Sequence, residues 1–297
     1  MSLRAPSPPP GGGGDSLARA WAVREANFAP LLTLIRLGRT RAVSLTGSDC
    51  ALNCAHCGGR YLLPMGDLER VGQEAEAGRI SSVLVSGGCA ADGSLHFSPH
   101  RTQLARLARQ VRLNFHVGLF PVERWPELEG LADTVSFDLV TDDQTIREVY
   151  GLAVSGDAYW RAYRALSQRV RTVPHVCLGL KGGAIDGEWG TLERLAAEPP
   201  EVLVFIVFIP TPGTAYADRP RPDLAEVAAF LAEARLRLPG TRLLLGCLRP
   251  GGRYRQELDQ LAVRAGINAI VQPAAGLEEF AAGLGLAIAW GEECCAL

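Results

Sequence analysis

The 297-residue sequence contains a single lysine, Lys181, so arginine supplies nearly all of its positive charge. This bias is typical of a GC-rich coding sequence and needs no functional explanation. The 30 basic and 32 acidic residues give a formal net charge of −2. A chain without excess positive charge lacks the general attraction for phosphates on which nonspecific nucleic-acid binding depends. We therefore expect no nucleic-acid partner.

Long apolar runs are also absent. The longest strongly apolar stretch, residues 202–209, has the length of a buried strand, whereas a membrane-spanning helix needs about 20 apolar residues. The N-terminus shows no export signal, and residues 1–14 form a proline- and glycine-rich tail that we expect to be disordered. We accordingly predict a cytoplasmic protein without a membrane partner. In that reducing compartment, eight cysteines indicate metal or catalytic ligands before disulfides.

The hydrophobic pattern predicts an α/β protein. Residues 15–40 have helical spacing and predict an N-terminal helical segment, after which apolar runs alternate with amphipathic stretches. Eight strands are predicted, at residues 41–47, 80–86, 111–117, 134–140, 172–180, 202–209, 241–248 and 267–271. Eight strand–helix repeats match a closed (β/α)8 barrel of the TIM type at residues 41–290, and an open doubly wound sheet is the alternative. A tail with two cysteines, residues 291–297, follows.

Three cysteines lie within eight positions after the first predicted barrel strand: Cys50, Cys54 and Cys57. Three thiolates on one tight loop can bind three irons of a four-iron cluster and leave the fourth iron open to an exogenous ligand. A structural zinc site normally has four protein ligands, and the only nearby histidine, His56, sits inside the triplet. Incidental buried cysteines are the other alternative. The spacing favours a [4Fe-4S] cluster.

The order of a strand, the Cys-x3-Cys-x2-Cys motif, a helix, a second strand and Gly87-Gly88 resembles the radical S-adenosylmethionine (SAM) enzymes. The resemblance covers about residues 41–290. It implies a (β/α)8 radical SAM barrel in which the open iron chelates the amino and carboxylate groups of SAM. It further implies that reduction, by a donor such as ferredoxin or flavodoxin, cleaves SAM to a 5′-deoxyadenosyl radical that abstracts hydrogen from the substrate.

The same resemblance assigns cofactor contacts to five further residues. His56 occupies the place where such enzymes usually carry an aromatic residue near the adenine. Gly87 and Gly88 lack the Cβ atoms that would keep the backbone from the methionine part of SAM. Asp138 lies on the strand whose biotin-synthase counterpart carries polar contacts to SAM and substrate. Arg249 resembles the arginine that accompanies the cluster in biotin synthase. The alternatives are a solvated loop residue for His56, a helix cap for Asp138 and a surface position for Arg249.

Five cysteines lie outside the triplet: Cys89, Cys177, Cys247, Cys294 and Cys295. Cys89 takes the position after Gly-Gly where many radical SAM enzymes have a glutamate. By the strand period of two, Cys177 faces the barrel interior, although a small core residue is an equal alternative. Cys247 lies near the end of a predicted strand. We expect the tail to fold back over the barrel mouth with Cys294 and Cys295, so that these thiols hold an auxiliary iron–sulfur cluster.

Among radical SAM families, the sequence most resembles the biotin-synthase-like branch. Residues 86–89 and the terminal cysteine pair resemble the two-component (archaeal-type) lipoyl synthases. This resemblance implies insertion of sulfur from the auxiliary cluster into an octanoyl chain on a lipoyl carrier protein or peptide, with a second related radical SAM protein as partner. One alternative is a biotin-synthase-like enzyme that acts on a small molecule. Another is a non-catalytic iron–sulfur sensor or electron carrier.

Overall fold

The computed structural model describes residues 13–297. The tail predicted at residues 1–14 therefore lies outside the described residues, except for Gly13 and Gly14, which begin the first helix. Parallel strands alternate with helices along the chain, which confirms the predicted TIM-type α/β fold. Among the described residues, no helix is both long and apolar enough to cross a membrane.

Within the described residues ten parallel strands form the sheet, and the eight predicted strands correspond to β2–β9. The strands are β1 (Leu31–Ile35), β2 (Thr40–Ser44), β3 (Ser82–Ser86), β4 (Arg112–His116), β5 (Thr134–Asp138), β6 (Thr172–Leu178), β7 (Val202–Val207), β8 (Arg242–Leu245), β9 (Ala269–Val271) and β10 (Ala287–Gly291). Their order in the sheet is β10-β1-β9-β8-β7-β6-β5-β4-β3-β2.

The helices follow the strands in the manner expected of βα repeats. They are α1 (Gly13–Asn27), α2 (Leu68–Glu76), α3 (Arg101–Leu107), α4 (Asp143–Thr145), α5 (Gly156–Ser167), α6 (Glu188–Ala197), α7 (Leu224–Arg237), α8 (Arg253–Arg264) and α9 (Leu277–Gly283). Aspartates cap several of them: Asp67 accepts from the backbone of α2, and Asp223 accepts from two backbone N–H groups of α7.

The structure corrects the prediction of one helical segment at residues 15–40. The leading helix ends at Asn27, and Leu31–Ile35 is strand β1. This leucine-rich run suits a helix as well as a strand, and its pairing with β9 on one side and β10 on the other decides between them. Strand β10 was also missing from the prediction, since its alanines and glycine carry little β-propensity.

The chain divides into two compact units. The first contains the chain up to Arg36, His175–Pro210 and Arg219–Gly291, while the second contains Leu37–Pro174, Thr211–Asp218 and Glu292–Leu297. In the first unit an aromatic core forms where the rings of Trp189 and Phe205 pack on Phe230. In the second unit Phe97 packs on Phe115 and Phe120. The cysteine triplet and the cysteine tail both belong to the second unit.

Candidate functional site

The cysteine loop follows the carboxyl end of β2. Its backbone turns tightly, because Asn53 and Gly58 both adopt positive φ values, of 47° and 50°. The backbone N–H groups of Cys57 and Gly58 both donate to the carbonyl oxygen of Cys54, at 3.1 and 2.8 Å. This turn brings the side chains of Cys54 and Cys57 to one place.

Cys54, Cys57 and His56 form the group in the described chain whose ligand atoms fit a metal. The two sulfurs and one imidazole nitrogen all lie within 4.8 Å of one another. The thiol of Cys54 hydrogen-bonds to Cys57, which raises the pKa of Cys54 and lowers that of Cys57. An imidazole hydrogen bond from His56 lowers the pKa of Cys57 further. The loop therefore holds one thiolate, the form of cysteine that binds metal.

Cys50 lies outside this group of ligand atoms, although it belongs to the same loop. Its charge raises the pKa values of Cys54 and Cys89, which places it in their electrostatic neighbourhood. The structure thus brings two of the three predicted cluster ligands together and leaves the third nearby. Because the donor set is three thiols, one of them a thiolate, the loop fits an iron–sulfur cluster better than a hard oxygen-seeking cation.

His56 presents a ring nitrogen without a partner. Its Nδ1 atom is buried and has no hydrogen bond among the described residues. The ring lies edge-on to Tyr61 and Tyr150, with centroids 6.2 and 5.9 Å away. Leaving a buried polar atom unpaired costs about 1–3 kcal/mol, which a ligand that hydrogen-bonds to Nδ1 would recover. The aromatic surroundings suit a planar base, so the adenine contact remains a prediction that the geometry supports.

Gly88 is required by the packing of the cysteine loop. A Cβ atom on Gly88 would lie 1.8 Å from the carbonyl oxygen of Asp49 and 2.6 Å from the Cα atom of Cys50. Two hydrogen bonds hold the segments together: Gly88 N–H donates to Thr46 Oγ1 at 2.7 Å, and Ala51 N–H donates to the carbonyl oxygen of Cys89 at 2.9 Å. Close packing against Asp49 and Cys50 is therefore enough to require a glycine at position 88. The contact of Gly87 and Gly88 with SAM remains a prediction.

Cys89 is the one additional cysteine found beside the triplet. Burial, together with the charges of Cys50 and Asp138, raises its pKa to about 12. The side chain is thus a neutral thiol in the absence of a metal. Its sulfur lies 3.2 Å from the point where a Cβ atom on Gly118 would be, so the turn after β4 leaves room for it through a glycine.

Asp138 forms an ion pair that the sequence did not reveal. Its Oδ2 atom lies 3.0 Å from His116 Nε2, and the two residues end the neighbouring strands β5 and β4. Burial lowers the pKa of His116, but the charge and hydrogen bond of Asp138 outweigh it, so the net shift is upward. The helix-cap alternative is wrong, because Asp142 and not Asp138 accepts from the first turn of α4.

The prediction that the C-terminal tail covers the triplet is wrong. Cys294 N–H donates to Thr40 Oγ1 at 2.9 Å, and Thr40 is the first residue of β2, whereas the triplet follows its last residue. Ser81, before β3, donates to Glu293 at 2.6 Å, and Arg112, the first residue of β4, forms an ion pair with the same carboxylate. These contacts hold the tail at the amino ends of the strands.

The backbone of the tail pair therefore lies at the end of β2 opposite the triplet. At about 3.3 Å per residue, the five residues of β2 separate the two ends of that strand by roughly 13 Å. Asn114 Nδ2 donates to Cys294 Sγ at 3.4 Å, and the sulfurs of Cys294 and Cys295 are 4.0 Å apart. Hydrogen bonds from Cys295 and Asn114 hold the pKa of Cys294 below its ordinary value.

Arg249 does not contact a cofactor through its guanidinium group, because all five N–H donors bond within the protein. Nε and Nη2 donate to the carboxylate of Asp259, at 2.8 and 3.0 Å. The remaining donors bond to the carbonyl oxygens of Gly246, Val271 and Gln272. The side chain is 1% exposed, which also excludes the surface alternative. The predicted cluster contact is therefore corrected to a structural role.

Cys177 and Cys247 belong to the first unit. Cys177 lies in β6, in register with Ile206 of β7, and its side chain is half-buried. Cys247 follows β8 and is also half-buried, and its carbonyl oxygen accepts from Arg255 at 3.2 Å. Their predicted role as cluster ligands remains a prediction.

Comparisons with known proteins agree with the fold. Methylornithine synthase (PylB) matches over 93% of this chain and 89% of its own, with 14% identity and a TM-score of 0.67. The FeFe-hydrogenase maturase HydG from Carboxydothermus hydrogenoformans matches over 93% of this chain and 72% of its own, with 16% identity and a TM-score of 0.70. At such identities the likeness shows the fold alone. No family model and no curated protein matches the sequence.

Proposed function

We propose that this protein is a radical SAM enzyme that inserts sulfur, and that it acts as one component of a lipoyl synthase. The observation that carries the radical SAM part is the loop after β2, where Cys54, Cys57 and His56 converge beside a Gly-Gly-Cys segment. The fold shared with radical SAM enzymes supports the same reading. The sulfur-insertion part rests on the resemblance of residues 86–89 and on the cysteines outside the triplet.

Cys50, Cys54 and Cys57 would hold a [4Fe-4S] cluster whose open iron binds SAM. When bound, this group supplies reductive cleavage of SAM and so a carbon-centred radical. Cys57 is already ionised in the metal-free protein, and Cys54 loses its proton on binding metal. His56 donates a hydrogen bond to Cys57 and keeps its other nitrogen, Nδ1, available to a ligand.

Two further features of the second unit suit the chemistry. Tyr150 stacks on Tyr159 with ring planes 18° apart, and Tyr159 is 5% exposed, so the aromatic wall beside His56 excludes water. The His116–Asp138 pair joins the ends of β4 and β5, and Asp138 raises the pKa of the imidazole against the lowering effect of burial. The His116 ring can hydrogen-bond to a carbonyl or carboxylate of the substrate.

The sulfur would come from an auxiliary iron–sulfur cluster. Cys89 is a candidate ligand of such a cluster, and for Cys177 and Cys247 the same role remains a prediction from the sequence; none of the three is in a disulfide. The electron would come from a donor such as ferredoxin or flavodoxin, and a second related radical SAM protein would add the other sulfur. We expect that a variant with Cys50, Cys54 and Cys57 all replaced by alanine retains some iron and sulfide after anaerobic reconstitution. Complete loss of iron would contradict an independent second cluster.

Substrate identity is tested by mass spectrometry. The reconstituted protein is incubated with SAM, a strong reductant and an octanoylated lipoyl carrier peptide. We expect a peptide gaining the mass of one sulfur atom, together with one 5′-deoxyadenosine for each hydrogen abstracted. Cleavage of SAM without peptide thiolation would favour a biotin-synthase-like enzyme acting on a small molecule. Absence of 5′-deoxyadenosine would favour an iron–sulfur sensor or electron carrier.

A further inference from the structure

Two adjacent thiols lie at the amino ends of the strands of the second unit, where no part of the proposed radical chemistry uses them. Cys294 Sγ and Cys295 Sγ are 4.0 Å apart, close to the separation of hydrogen-bonded sulfurs. Both side chains are half-buried and neither is in a disulfide. An adjacent dithiol without a partner cluster is a chemical group in its own right, so its surroundings decide what it can do.

Those surroundings stabilise negative charge on one of the two sulfurs. Asn114 Nδ2 donates to Cys294 Sγ, and backbone N–H groups of Cys295 and Ala296 add further hydrogen bonds. Asn114 is itself fully buried and fixed by a reciprocal pair of hydrogen bonds with Ser136, at 2.9 and 3.1 Å. Cys294 is thus the nucleophile of the pair, and Cys295 is the neighbour placed to react with it.

The tail that carries the dithiol is held in a fixed position. Cys294 N–H donates to Thr40, and Arg171 donates to the carbonyl oxygen of Ala296, whose side chain is fully buried. Glu293 is bound by Ser81 and Arg112. These contacts therefore fix the positions of the two sulfurs relative to each other.

A basic cleft adjoins this tail. It has a volume of about 460 Å³, and Arg39, Arg109 and Arg112 line it together with Ser81. Ser81 and Arg112 are also the residues that hold Glu293, the neighbour of Cys294, so the cleft lies beside the tail. Arg112 is neutralised by Glu293, but Arg39 and Arg109 outnumber Asp133, the one acidic residue of the lining, so the cleft attracts an anionic reagent more than a neutral one.

We propose that Cys294 and Cys295 form a thiol–disulfide exchange site for a small anionic disulfide of the glutathione type. The Cys294 thiolate attacks one sulfur of the external disulfide, forming a mixed disulfide and releasing one thiolate. The Cys295 thiol then loses its proton and attacks Cys294 Sγ, forming the Cys294–Cys295 disulfide and releasing the second thiol. The two electrons lost by the protein reduce the external disulfide to two thiols.

The sequence makes this reaction directly measurable. Trypsin releases residues 265–297 as one peptide, because no lysine or arginine follows Arg264, and its only cysteines are Cys294 and Cys295. The peptide of residues 172–181 contains Cys177 alone and, in a parallel sample unfolded in denaturant before exposure, serves as a control that can form only a mixed disulfide. The cluster-loaded protein is exposed anaerobically to oxidised glutathione, and its remaining free thiols are blocked with N-ethylmaleimide. The protein is then digested with trypsin, and the masses of the peptides are measured by mass spectrometry.

We expect peptide 265–297 to lose two hydrogens and to take up no maleimide. The Cys295→Ser variant lacks the resolving thiol and is expected to keep glutathione on Cys294. A neutral disulfide, hydroxyethyl disulfide, is expected to react at least several-fold more slowly, and added salt to reduce that difference. Iron content and circular dichroism establish whether the Cys295→Ser variant folds. If the variant does not fold, the mass of the wild-type peptide 265–297 decides the test.

Two outcomes would overturn the proposal. One is a wild-type peptide 265–297 that keeps two maleimide groups in the folded protein while the Cys177 peptide of the unfolded sample forms the mixed disulfide. The other is a wild-type peptide that stops at the mixed disulfide, as the Cys295→Ser variant should. Neither outcome depends on SAM cleavage, so this site and the radical SAM function stand or fall separately.

Discussion

At the scale of single residues, the structure gives different surroundings to residues that the sequence predicted to share a role in cofactor or cluster binding. The spacing of Cys50, Cys54 and Cys57 predicts a metal loop, and the structure brings the ligand atoms of Cys54 and Cys57 together while Cys50 lies outside that group. The roles of Arg249 and of the terminal cysteines were not predictable. They depend on partners far apart in sequence, such as Asp259 for Arg249, and no periodic pattern reports such pairs.

Gly88 gives the most direct residue-scale prediction. Replacing it with alanine places a Cβ atom against the carbonyl oxygen of Asp49, so we expect a loss of about 1–3 kcal/mol in the free energy of unfolding and a lower iron content after reconstitution. Gly72→Ala is the matched control, since nothing lies within 4 Å of its Cβ position and α2 should gain up to about 1 kcal/mol. Urea unfolding measures both, and equal stability of the two variants would contradict the packing role.

The His116–Asp138 pair predicts a dependence of stability on pH. The folded-state pKa of His116 is raised, so its contribution is fully present below the ordinary histidine value of about 6.5 and is lost as pH rises through the folded-state pKa. We expect the wild-type protein to lose more unfolding free energy between pH 6 and pH 8.5 than the Asp138→Asn variant. Parallel slopes for the two proteins would show that the pair is not the cause.

At the scale of elements, the sequence predicts the strands that are buried on both faces, but it does not show which strands pair with each other. The apolar runs of β2–β9 are short, rich in branched residues and bounded by turns, which distinguishes them from helices. Strand β1 was missed because its leucines suit either structure, and β10 because its alanines and glycine carry little β-propensity. The register that brings His116 to Asp138 is likewise set by pairing between strands, which a single sequence does not show.

The segment after β8 yields a prediction at this scale. Arg249 joins α8, through Asp259, to the backbone that follows β8 and β9. We expect Arg249→Met to cost about 3–5 kcal/mol, because it leaves the Asp259 carboxylate buried without its counter-charge. The double variant Arg249→Met, Asp259→Leu should recover much of this loss in urea unfolding. A single variant with wild-type stability and reduced iron content would instead restore the predicted cluster contact.

At the scale of the whole molecule, sequence and structure agree on the fold class and differ in where the C-terminal cysteines lie. The TIM-type α/β fold and the cysteine loop after the strand now numbered β2 were predicted correctly, and structural neighbours share the fold. The expected position of the C-terminal tail over the barrel mouth did not follow. Within the second unit, the triplet and Cys89 lie at the carboxyl ends of the strands and Cys294-Cys295 at their amino ends. Radical formation and thiol exchange are therefore separate proposals.

The central claim is that the loop from Cys50 to Cys57 supports reductive cleavage of SAM. The direct measurement is 5′-deoxyadenosine formed by the reconstituted protein under strong reductant, compared with the Cys57→Ser variant and with Cys295→Ser as a matched cysteine control. The account predicts product from the wild-type protein and from Cys295→Ser, and a loss of at least 100-fold, on the order expected for removal of a metal ligand, in Cys57→Ser. Equal product from all three proteins, or none from the iron-loaded wild type, would contradict it.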